Sequence, residues 1–327
     1  MSTTHQAQPY AAGIDCGGTN TVIGIVDTRG KVVARTSLPT RAYPEFSDFI
    51  AAVADALGHA AEGVGGLHTV AGVGIGAPNA NYYSGNIEYA PNLPWRGVLP
   101  LAEALSAATG LPVAATNDAN AAAIGEMTYG AARGMRDFIM ITLGTGVGSG
   151  IVIDGRLVYG HDGFAGELGH TRVPGGDRPC GCGRRGCLEA YCSATGVART
   201  ARELLAQRTD ESLLRRLEPE TITSKDVYDA ATQGDALAAE IFRITGRIMG
   251  EAFADFAAFS APEAFILFGG LAGAGDLLLV PIVEAMEENL LPIWRGKIRV
   301  ITSALESGDA ALLGAAALAW NEVRGKH

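Results

Sequence analysis

The sequence predicts an α/β protein, and three observations support that class. Short apolar strands alternate with helical segments along the 327 residues, which is typical of α/β proteins. A unit of strand, Gly/Thr turn and strand occurs twice, at 14–27 and again at 137–160. Hydrophobic residues make up 48% of the chain, which is enough to bury a core in each of two lobes. The repeated hairpin therefore predicts a duplicated lobe.

The first half of the chain begins as an antiparallel meander. Strands are expected at 14–15, 21–27 and 31–38, joined by the turns CGGTN and DTRG. A helix near 45–62 and a buried strand in TVAGVGIGAPN follow. A short strand in VAATNDA then leads directly into the alanine-rich helix of NAAAIGEMTYGAARG.

The second half repeats the hairpin and then becomes mostly helical. After the hairpin and a cysteine-rich loop, 166–193, helices are expected at 188–208, 225–232 and 236–259. APEAFILFGGLAG reads as a buried strand that ends in a glycine turn. A helix, a strand near 297–302 and a last helix from residue 309 complete the chain.

The charge and hydropathy patterns exclude several classes of protein. The formal net charge is −10 and no long basic run occurs, so a nucleic-acid partner is not expected. The N-terminal residues do not form a signal peptide. Apolar runs stay short of the roughly 18–20 residues that a membrane span needs. We therefore expect a cytoplasmic protein, without a membrane partner, in which thiols stay reduced.

Three glycine turns follow apolar strands and are candidate phosphate-binding loops. They lie in DCGGTN (15–20), LGTGVGSG (143–150) and FGGLAG (268–273). Glycine lets a backbone approach a ligand closely, although each turn alone is equally consistent with an ordinary hairpin. No GxxxxGK[ST] motif occurs, and the one GxGxxG lies inside the cysteine loop, where it does not open a helix. Asp15, beside the first turn, is a candidate Mg²⁺ ligand or simply a turn cap.

A second carboxylate, Asp118, lies where a strand meets a helix in TNDANAAAIGE. Asp and Asn are favoured N-caps, so one of Asn117, Asp118 and Asn120 is expected to cap this helix. Three such residues in four positions exceed what capping needs. An aspartate at such a junction is suited to accept a proton from a substrate hydroxyl.

The cysteine loop has the composition of a zinc site. His170, Cys180, Cys182 and Cys187 are separated by nine, one and four residues, and together they supply a tetrahedral Cys₃His set. Four protein ligands leave no open position, so the metal is expected to be structural. Glu167 and Glu189 flank the ligands and suit the hydroxyl groups of a sugar, or else they are solvated loop charges.

Five segments together resemble the ROK family (repressor, open reading frame, kinase). They are DCGGTN, TNDANAAAIGE, LGTGVGSGIV, GFAGELGH and CGCGRRGCLEAYCS, and the resemblance extends from about residue 14 to the last helix. It implies a two-lobed actin-like (ribonuclease-H-like) ATPase fold with a cleft between the lobes. The expected division is a small lobe, 10–116 plus 309–327, and a large lobe, 117–308.

The resemblance also implies a role for each candidate residue. Asp118 corresponds to the catalytic base for the sugar 6-hydroxyl, and the Cys₃His set corresponds to the zinc ligands. The implied sugar contacts are Asn92, Asn117, Asp118, Glu167, His170 and Glu189. The implied ATP-binding positions are Asp15, Gly17, Gly18, Thr19, Gly144, Thr145, Gly146, Gly269 and Gly270. Many family members have Lys after GGT where this chain has Asn20, so Mg²⁺ is expected to neutralise more of the phosphate charge.

The implied activity is that of an ATP-dependent sugar kinase acting on the 6-hydroxyl of a hexose, with glucose preferred on the resemblance of GAPNANYYSGNIEYAPNLPW to glucokinase-like members. N-acetylmannosamine, N-acetylglucosamine and fructose are the alternative substrates. A non-catalytic sugar-sensing regulator is a more distant alternative, because only about a dozen residues precede the first strand and no DNA-binding domain is expected there. The family relationship further implies a homodimer or homotetramer.

Overall fold

The computed structural model describes residues 8–305 and 309–324, and the chain forms two compact units. Unit 1 comprises the described residues within the ranges Met1–Gly134, Leu157–Ala165 and Ala304–His327. Unit 2 holds Met135–Arg156 and Gly166–Ser303. The predicted domain division at residue 117 stays a prediction, because domains are defined by independent folding or motion and not by packing alone.

The strands and helices alternate along the chain as an α/β protein requires. The strands are β1 (Tyr10–Cys16), β2 (Asn20–Asp27), β3 (Val32–Pro39), β4 (Val70–Gly76), β5 (Ile87–Glu88), β6 (Val98–Leu99), β7 (Val113–Thr116), β8 (Phe138–Leu143), β9 (Val147–Ile153), β10 (Arg156–Leu157), β11 (Ala264–Phe268) and β12 (Arg299–Thr302). The helices are α1 (Phe46–Glu62), α2 (Leu101–Thr109), α3 (Asp118–Tyr129), α4 (Glu189–Cys192), α5 (Ala194–Gln207), α6 (Ser224–Thr232), α7 (Ala236–Ser260), α8 (Asp276–Asn289) and α9 (Ala310–Arg324).

The two main sheets have the same topology, which confirms the predicted duplication. The first sheet has the order β3-β2-β1-β4-β7 and the second has the order β10-β9-β8-β11-β12. In each sheet a central strand pairs antiparallel with the strand that follows it and parallel with a later strand, as β1 does with β2 and β4 and β8 does with β9 and β11. The first two candidate phosphate turns therefore each join the central strand of a sheet to the next strand, whereas the third follows β11.

The first sheet buries bulky side chains on one face. Ile14, Ile23 and Ile75 project from its central strands into a core shared with Phe49 of α1 and Leu105 of α2. These side chains are almost completely removed from water, and each such burial contributes about 1.5–3 kcal/mol. The sheet is therefore fixed against α1 and α2.

The opposite face of the first sheet has glycines where α9 lies against it. A Cβ at Gly13 would lie 2.1 Å from the carbonyl oxygen of Leu312, and a Cβ at Gly74 would lie 1.8 Å from that of Ala315. Both distances are far too short for a side chain. The glycines thus let the backbone of α9 pack directly on β1 and β4.

Unit 2 has a core in which the long helix α7 is central. Phe253 of α7 stacks on Phe265 of β11, with ring centroids 4.2 Å apart. Gly250 of α7 allows close contact with α8, since a Cβ there would lie 2.3 Å from the carbonyl oxygen of Ile282. Among the described helices, none combines the length and apolar character of a membrane-crossing segment.

Most predicted elements lie within a few residues of the observed ones, and one helix needs correction. The helix expected over 188–208 is interrupted at Ser193, whose backbone is extended, so α4 and α5 are separate helices. The Ser193 hydroxyl accepts a hydrogen bond from the Gly196 amide and so caps α5. The first strand also begins earlier than expected, at Tyr10.

Candidate active site

The first glycine turn, Gly17–Thr19, is held through its carbonyl groups. The Thr40 hydroxyl donates to the Gly17 oxygen at 2.8 Å, and the Arg41 Nε donates to the Gly18 oxygen at 3.0 Å. In the described part of the chain, the amides of Gly18 and Thr19 donate to no protein acceptor. Backbone amides that are left free in a rigid turn suit an anionic ligand such as phosphate.

Asn92 lies beside this turn. A Cβ at position 18 would lie 2.7 Å from the Asn92 carbonyl oxygen, so the close approach requires glycine there. The Asn92 residue itself is exposed. The structure therefore brings Asn92 next to the first glycine turn.

Asp15 and Asp118 form a carboxylate pair in unit 1. Burial and, to a smaller extent, the negative charge of Asp118 raise the pKa of Asp15 to about 6, against a lowering effect of Arg35. Burial also raises the pKa of Asp118, against hydrogen bonding from the Ala119 amide. The side chain of Asp118 still reaches solvent, so its carboxylate is partly desolvated and accessible at the same time. Such a group suits proton transfer.

The position of Asp118 follows from the start of α3. Asn117, one of the three cap candidates in the sequence, is the N-cap, and its side-chain oxygen accepts a hydrogen bond from Ala119 at 2.9 Å. Asp118 is the first helical residue and accepts from the same amide at 2.8 Å. Glycines again allow close packing: a Cβ at Gly314 of α9 would lie 1.6 Å from the Ala121 oxygen. Helix α3 is thus fixed to α9, which holds Asp118 in place.

In unit 2 the four predicted metal ligands come together. The ligand atoms of His170, Cys180, Cys182 and Cys187 all lie within 4.8 Å of one another. The Cys182 and Cys187 sulfurs are 3.7 Å apart, and so are the Cys180 sulfur and His170 Nδ1. A tetrahedral zinc with Zn–S bonds near 2.3 Å places two sulfurs ~3.8 Å apart, so the geometry fits such an ion. Burial raises the pKa of the Cys180 thiol, and a bound cation would favour its thiolate form.

Glu167 and His170 lie on one short segment that is fixed to β9. The Ser149 hydroxyl donates to the Gly166 oxygen and accepts from the Leu168 amide. His170 presents Nδ1 to the cysteines, and its Nε2 lies 3.9 Å from Glu167. The second ring nitrogen of His170 therefore faces a carboxylate and not the cluster.

Glu189, the first residue of α4, contacts both the cysteine cluster and the second glycine turn. Its Oε2 accepts a hydrogen bond from the Val147 amide at 3.0 Å, and its Oε1 lies 3.5 Å from the Cys180 sulfur. A Cβ at Gly146 would lie 2.2 Å from the same carboxylate. Glu189 therefore supports the second glycine turn and is also a predicted sugar contact.

The second and third glycine turns are neighbours. Gly144, Thr145 and Gly146 join β8 to β9, and Gly269 and Gly270 follow β11. Gly269 has a φ of 103°, and a Cβ there would lie 2.5 Å from the oxygen of Leu143, the last residue of β8. Only glycine combines that backbone conformation with that close approach.

The comparisons with known proteins agree with this arrangement. The ROK family model matches residues 11–322. The chain belongs to the ROK family. Its relatives include a protein from Streptomyces coelicolor named Glucokinase, which is 40% identical over 94% of this chain and 96% of its own. A Glucokinase from Halalkalibacterium halodurans is 39% identical, over 86% of this chain and 87% of its own.

A solved ROK structure is also similar over almost the whole chain. It is the glucokinase from Streptomyces griseus in complex with glucose and AMPPNP, with 37% identity, a TM-score of 0.79, and coverage of 95% of this chain and 99% of its own. The predicted α/β class and actin-like ATPase fold are thereby confirmed.

The candidate residues of this ROK protein form two groups. Unit 1 contains Asp15, the first glycine turn, Asn92, Asn117 and Asp118, and unit 2 contains the metal cluster, Glu167, Glu189 and the other two turns. Sequence reasoning missed the residues that support them, such as Ser149, Arg41 and Thr195. None of these three has a local sequence pattern that distinguishes it from other surface polar residues.

Proposed function

We propose that this ROK protein is an ATP-dependent glucokinase that phosphorylates the 6-hydroxyl of glucose. The observation that carries the proposal is the pair of carboxylates with raised pKa, Asp15 and Asp118, of which Asp15 closely precedes a turn with free amides. The likeness to proteins named Glucokinase over almost the full chain supports glucose over N-acetylhexosamines and fructose.

Each carboxylate has a distinct proposed role. Asp118 accepts the proton of the sugar hydroxyl as the oxygen attacks the γ-phosphorus of ATP and the bond from that phosphorus to the ADP oxygen breaks, and its raised pKa favours that acceptance. Asp15 would hold the Mg²⁺ of Mg–ATP, directly or through water, and this cation would offset the phosphate charge. The protein otherwise contributes alignment, which supplies several kcal/mol in phosphoryl transfer.

The remaining residues are proposed to bind the two substrates. Asn92, Asn117, Glu167, His170 and Glu189 are the sugar contacts, since their amide, imidazole and carboxylate groups suit hydroxyl groups. The glycine turns, through their backbone amides, are the phosphate contacts. The Cys₃His cluster would hold a structural zinc ion, which fixes the loop between His170 and Cys187. We also propose a homo-oligomer in solution, which light scattering on the purified protein measures.

The deciding experiment combines a sugar panel with one substitution. We expect ADP release with glucose to exceed that with N-acetylmannosamine, N-acetylglucosamine and fructose. Asp118→Asn should lower kcat by about 10²–10⁴-fold while glucose still binds, because only the proton acceptor is removed. Asp48→Asn is the matched control, since Asp48 is an exposed aspartate in the first turn of α1.

Two results would contradict the proposal. Near-normal kcat in Asp118→Asn would exclude Asp118 as the base. Absence of ADP release with every sugar, in protein that binds Mg–ATP, would favour the non-catalytic alternative.

A further inference from the structure

The second glycine turn is held by a segment of which the proposed function uses only the first residue, Glu189. The Ala194 amide donates to the Gly144 oxygen at 2.9 Å. The Thr195 hydroxyl donates to the Thr145 oxygen at 2.9 Å. With the bond from Val147 to Glu189, three hydrogen bonds join the turn to residues 189–195. We call residues 189–195 the bridge segment.

The bridge segment is continuous with the cysteine cluster. Cys187 lies two residues before Glu189, and the Ala190 amide donates to the Cys187 oxygen at 3.0 Å. Glu189 also lies against Cys180, so the segment contacts the cluster through two of its four members. The cysteine cluster is thus linked to the glycines of the turn by the backbone of the bridge segment, the Glu189 carboxylate and the Thr195 hydroxyl.

The bridge segment binds the carbonyl oxygen atoms of the turn as well as one of its amides, that of Val147. The Gly144 and Thr145 carbonyl groups are both acceptors for it. When the carbonyl side of a turn is fixed, the peptide planes are fixed too, and the amides keep the orientation that an anion requires. An ordered turn also binds with less loss of conformational entropy.

We propose that Glu189 and Thr195 are positioning residues that couple metal occupancy of the cysteine cluster to nucleotide affinity at the second glycine turn. The inference rests on the proposed function, because it takes that turn to be a phosphate contact. A metal ion that fixes Cys180 and Cys187 fixes the start of the bridge segment, and the segment fixes the turn. By linkage, nucleotide must strengthen metal binding by the same factor by which metal strengthens nucleotide binding.

Thr195 is the residue on which the coupling is best tested. It is exposed, it is outside the cluster, and it lies at the start of α5, so its substitution leaves the metal ligands and the core intact. Thr195→Val removes the hydroxyl and keeps the shape, while Thr195→Ser keeps the hydroxyl. Thr232→Val is the matched control, because Thr232 is also exposed and also donates to a carbonyl oxygen at 2.9 Å.

The first measurement is calorimetric titration of the zinc-loaded protein with Mg–AMPPNP. We expect Thr195→Val to weaken binding about 5–10-fold, and Thr195→Ser and Thr232→Val to bind within about twofold of wild type. The second is competition for zinc by a chromogenic chelator, with and without saturating nucleotide. Nucleotide should raise zinc affinity about fivefold or more in wild type and have little effect in Thr195→Val.

The outcomes separate the two proposals. If the zinc-loaded wild type does not bind Mg–AMPPNP, the proposed kinase function fails. If it binds nucleotide, but zinc affinity is unchanged by nucleotide and Thr195→Val binds as wild type does, the coupling is overturned and the kinase proposal stands. A loss of affinity in Thr232→Val equal to that in Thr195→Val would also overturn the coupling, since the effect would not belong to the bridge segment.

Discussion

The turns after β1 and β8 occupy the same place in two sheets of the same topology, yet they are supported differently. Thr40 and Arg41, which follow β3 of the same sheet, hold the first turn. The second turn is held by Glu189 and Thr195, more than 40 residues further along the chain and beyond the cysteine cluster. Duplication has thus preserved the path of the backbone, while each turn has its own source of rigidity.

This difference teaches that one turn is self-contained and the other depends on a distant element. The residues that bind the first turn, Thr40 and Arg41, directly follow a strand of the same sheet. Glu189 and Thr195, which bind the second turn, are positioned only when the cysteine loop is folded. Metal binding should therefore affect the order of the second turn and not that of the first. The following predictions test that contrast, from the largest expected effect to the smallest.

Loss of one metal ligand should affect the second turn alone. Cys182→Ser should release the metal and cost unit 2 about 3 kcal/mol or more, lowering its Tm by roughly 6–12 °C. Hydrogen exchange should rise at Gly144–Val147 and stay unchanged at Gly17–Thr19. Arg185→Ser, an exposed change in the same loop, is the control. Equal changes at both turns would break the comparison.

A second prediction concerns Asp15, which has no acidic counterpart in the second hairpin. Since its folded pKa is about 6, folded protein binds the extra proton between pH 4 and 6, and stability falls as pH rises through that window. Asp15→Asn should therefore be more stable than wild type at pH 7.5, by about 1–3 kcal/mol, and show no gain below pH 4. It should also lose activity, because the proposed Mg²⁺ contact is gone.

Asp27, at the other end of β2, gives the opposite sign. The Lys31 amide lowers the pKa of Asp27, burial opposes this effect, and the amide and charge of Arg29 lower the pKa further. A pKa that is lower in the folded state than in the unfolded state stabilises the protein at pH values above the unfolded pKa. This stabilisation is lost as the pH falls. Asp27→Asn should thus be less stable than wild type at pH 7.5. Thermal unfolding at pH 4, 5 and 7.5 measures the stability of both variants. A stability change of the same sign at pH 7.5 for Asp15→Asn and Asp27→Asn would contradict the pKa directions given for these two residues.

A third prediction compares glycine with alanine at matched positions. Gly18→Ala forces a Cβ to 2.7 Å from the Asn92 oxygen, so it should cost about 1–3 kcal/mol and raise the KM for ATP. At Gly144 no atom lies within 4 Å of the added Cβ, so Gly144→Ala should leave stability within about 0.5 kcal/mol. Chemical denaturation and steady-state kinetics measure the pair. A larger stability loss at Gly144 would be inconsistent with the packing described.

The smallest expected effect is at Arg41. Its side chain is exposed and makes one described hydrogen bond to the first turn, so Arg41→Met should cost less than about 1 kcal/mol. It should raise the KM for ATP a few-fold without changing zinc affinity. A change in zinc affinity would show that the two turns are not independent.

Sequence patterns predicted the elements well where the information is local. The hairpins, a cap from among Asn117, Asp118 and Asn120, and the clustering of the four Cys₃His side chains depend on residues close in the chain, and the structure shows all three. The break at Ser193 was missed because both flanking segments have helical patterns. The role of Thr195 was missed because its partner, Thr145, is 50 residues away and a hydroxyl on a helix surface has no distinguishing pattern.

The glycine contacts of α9 have a consequence for biosynthesis. Unit 2 is complete in sequence at Ser303, whereas the first sheet lacks the cover of one face until residues 310–324 have been made. Strands β1 and β4 are synthesised early, whereas α9, which covers their glycines, is synthesised last. Until then, Gly13 and Gly74 lack the helix that packs on them. We therefore expect unit 2 to be able to fold during translation before unit 1 is complete.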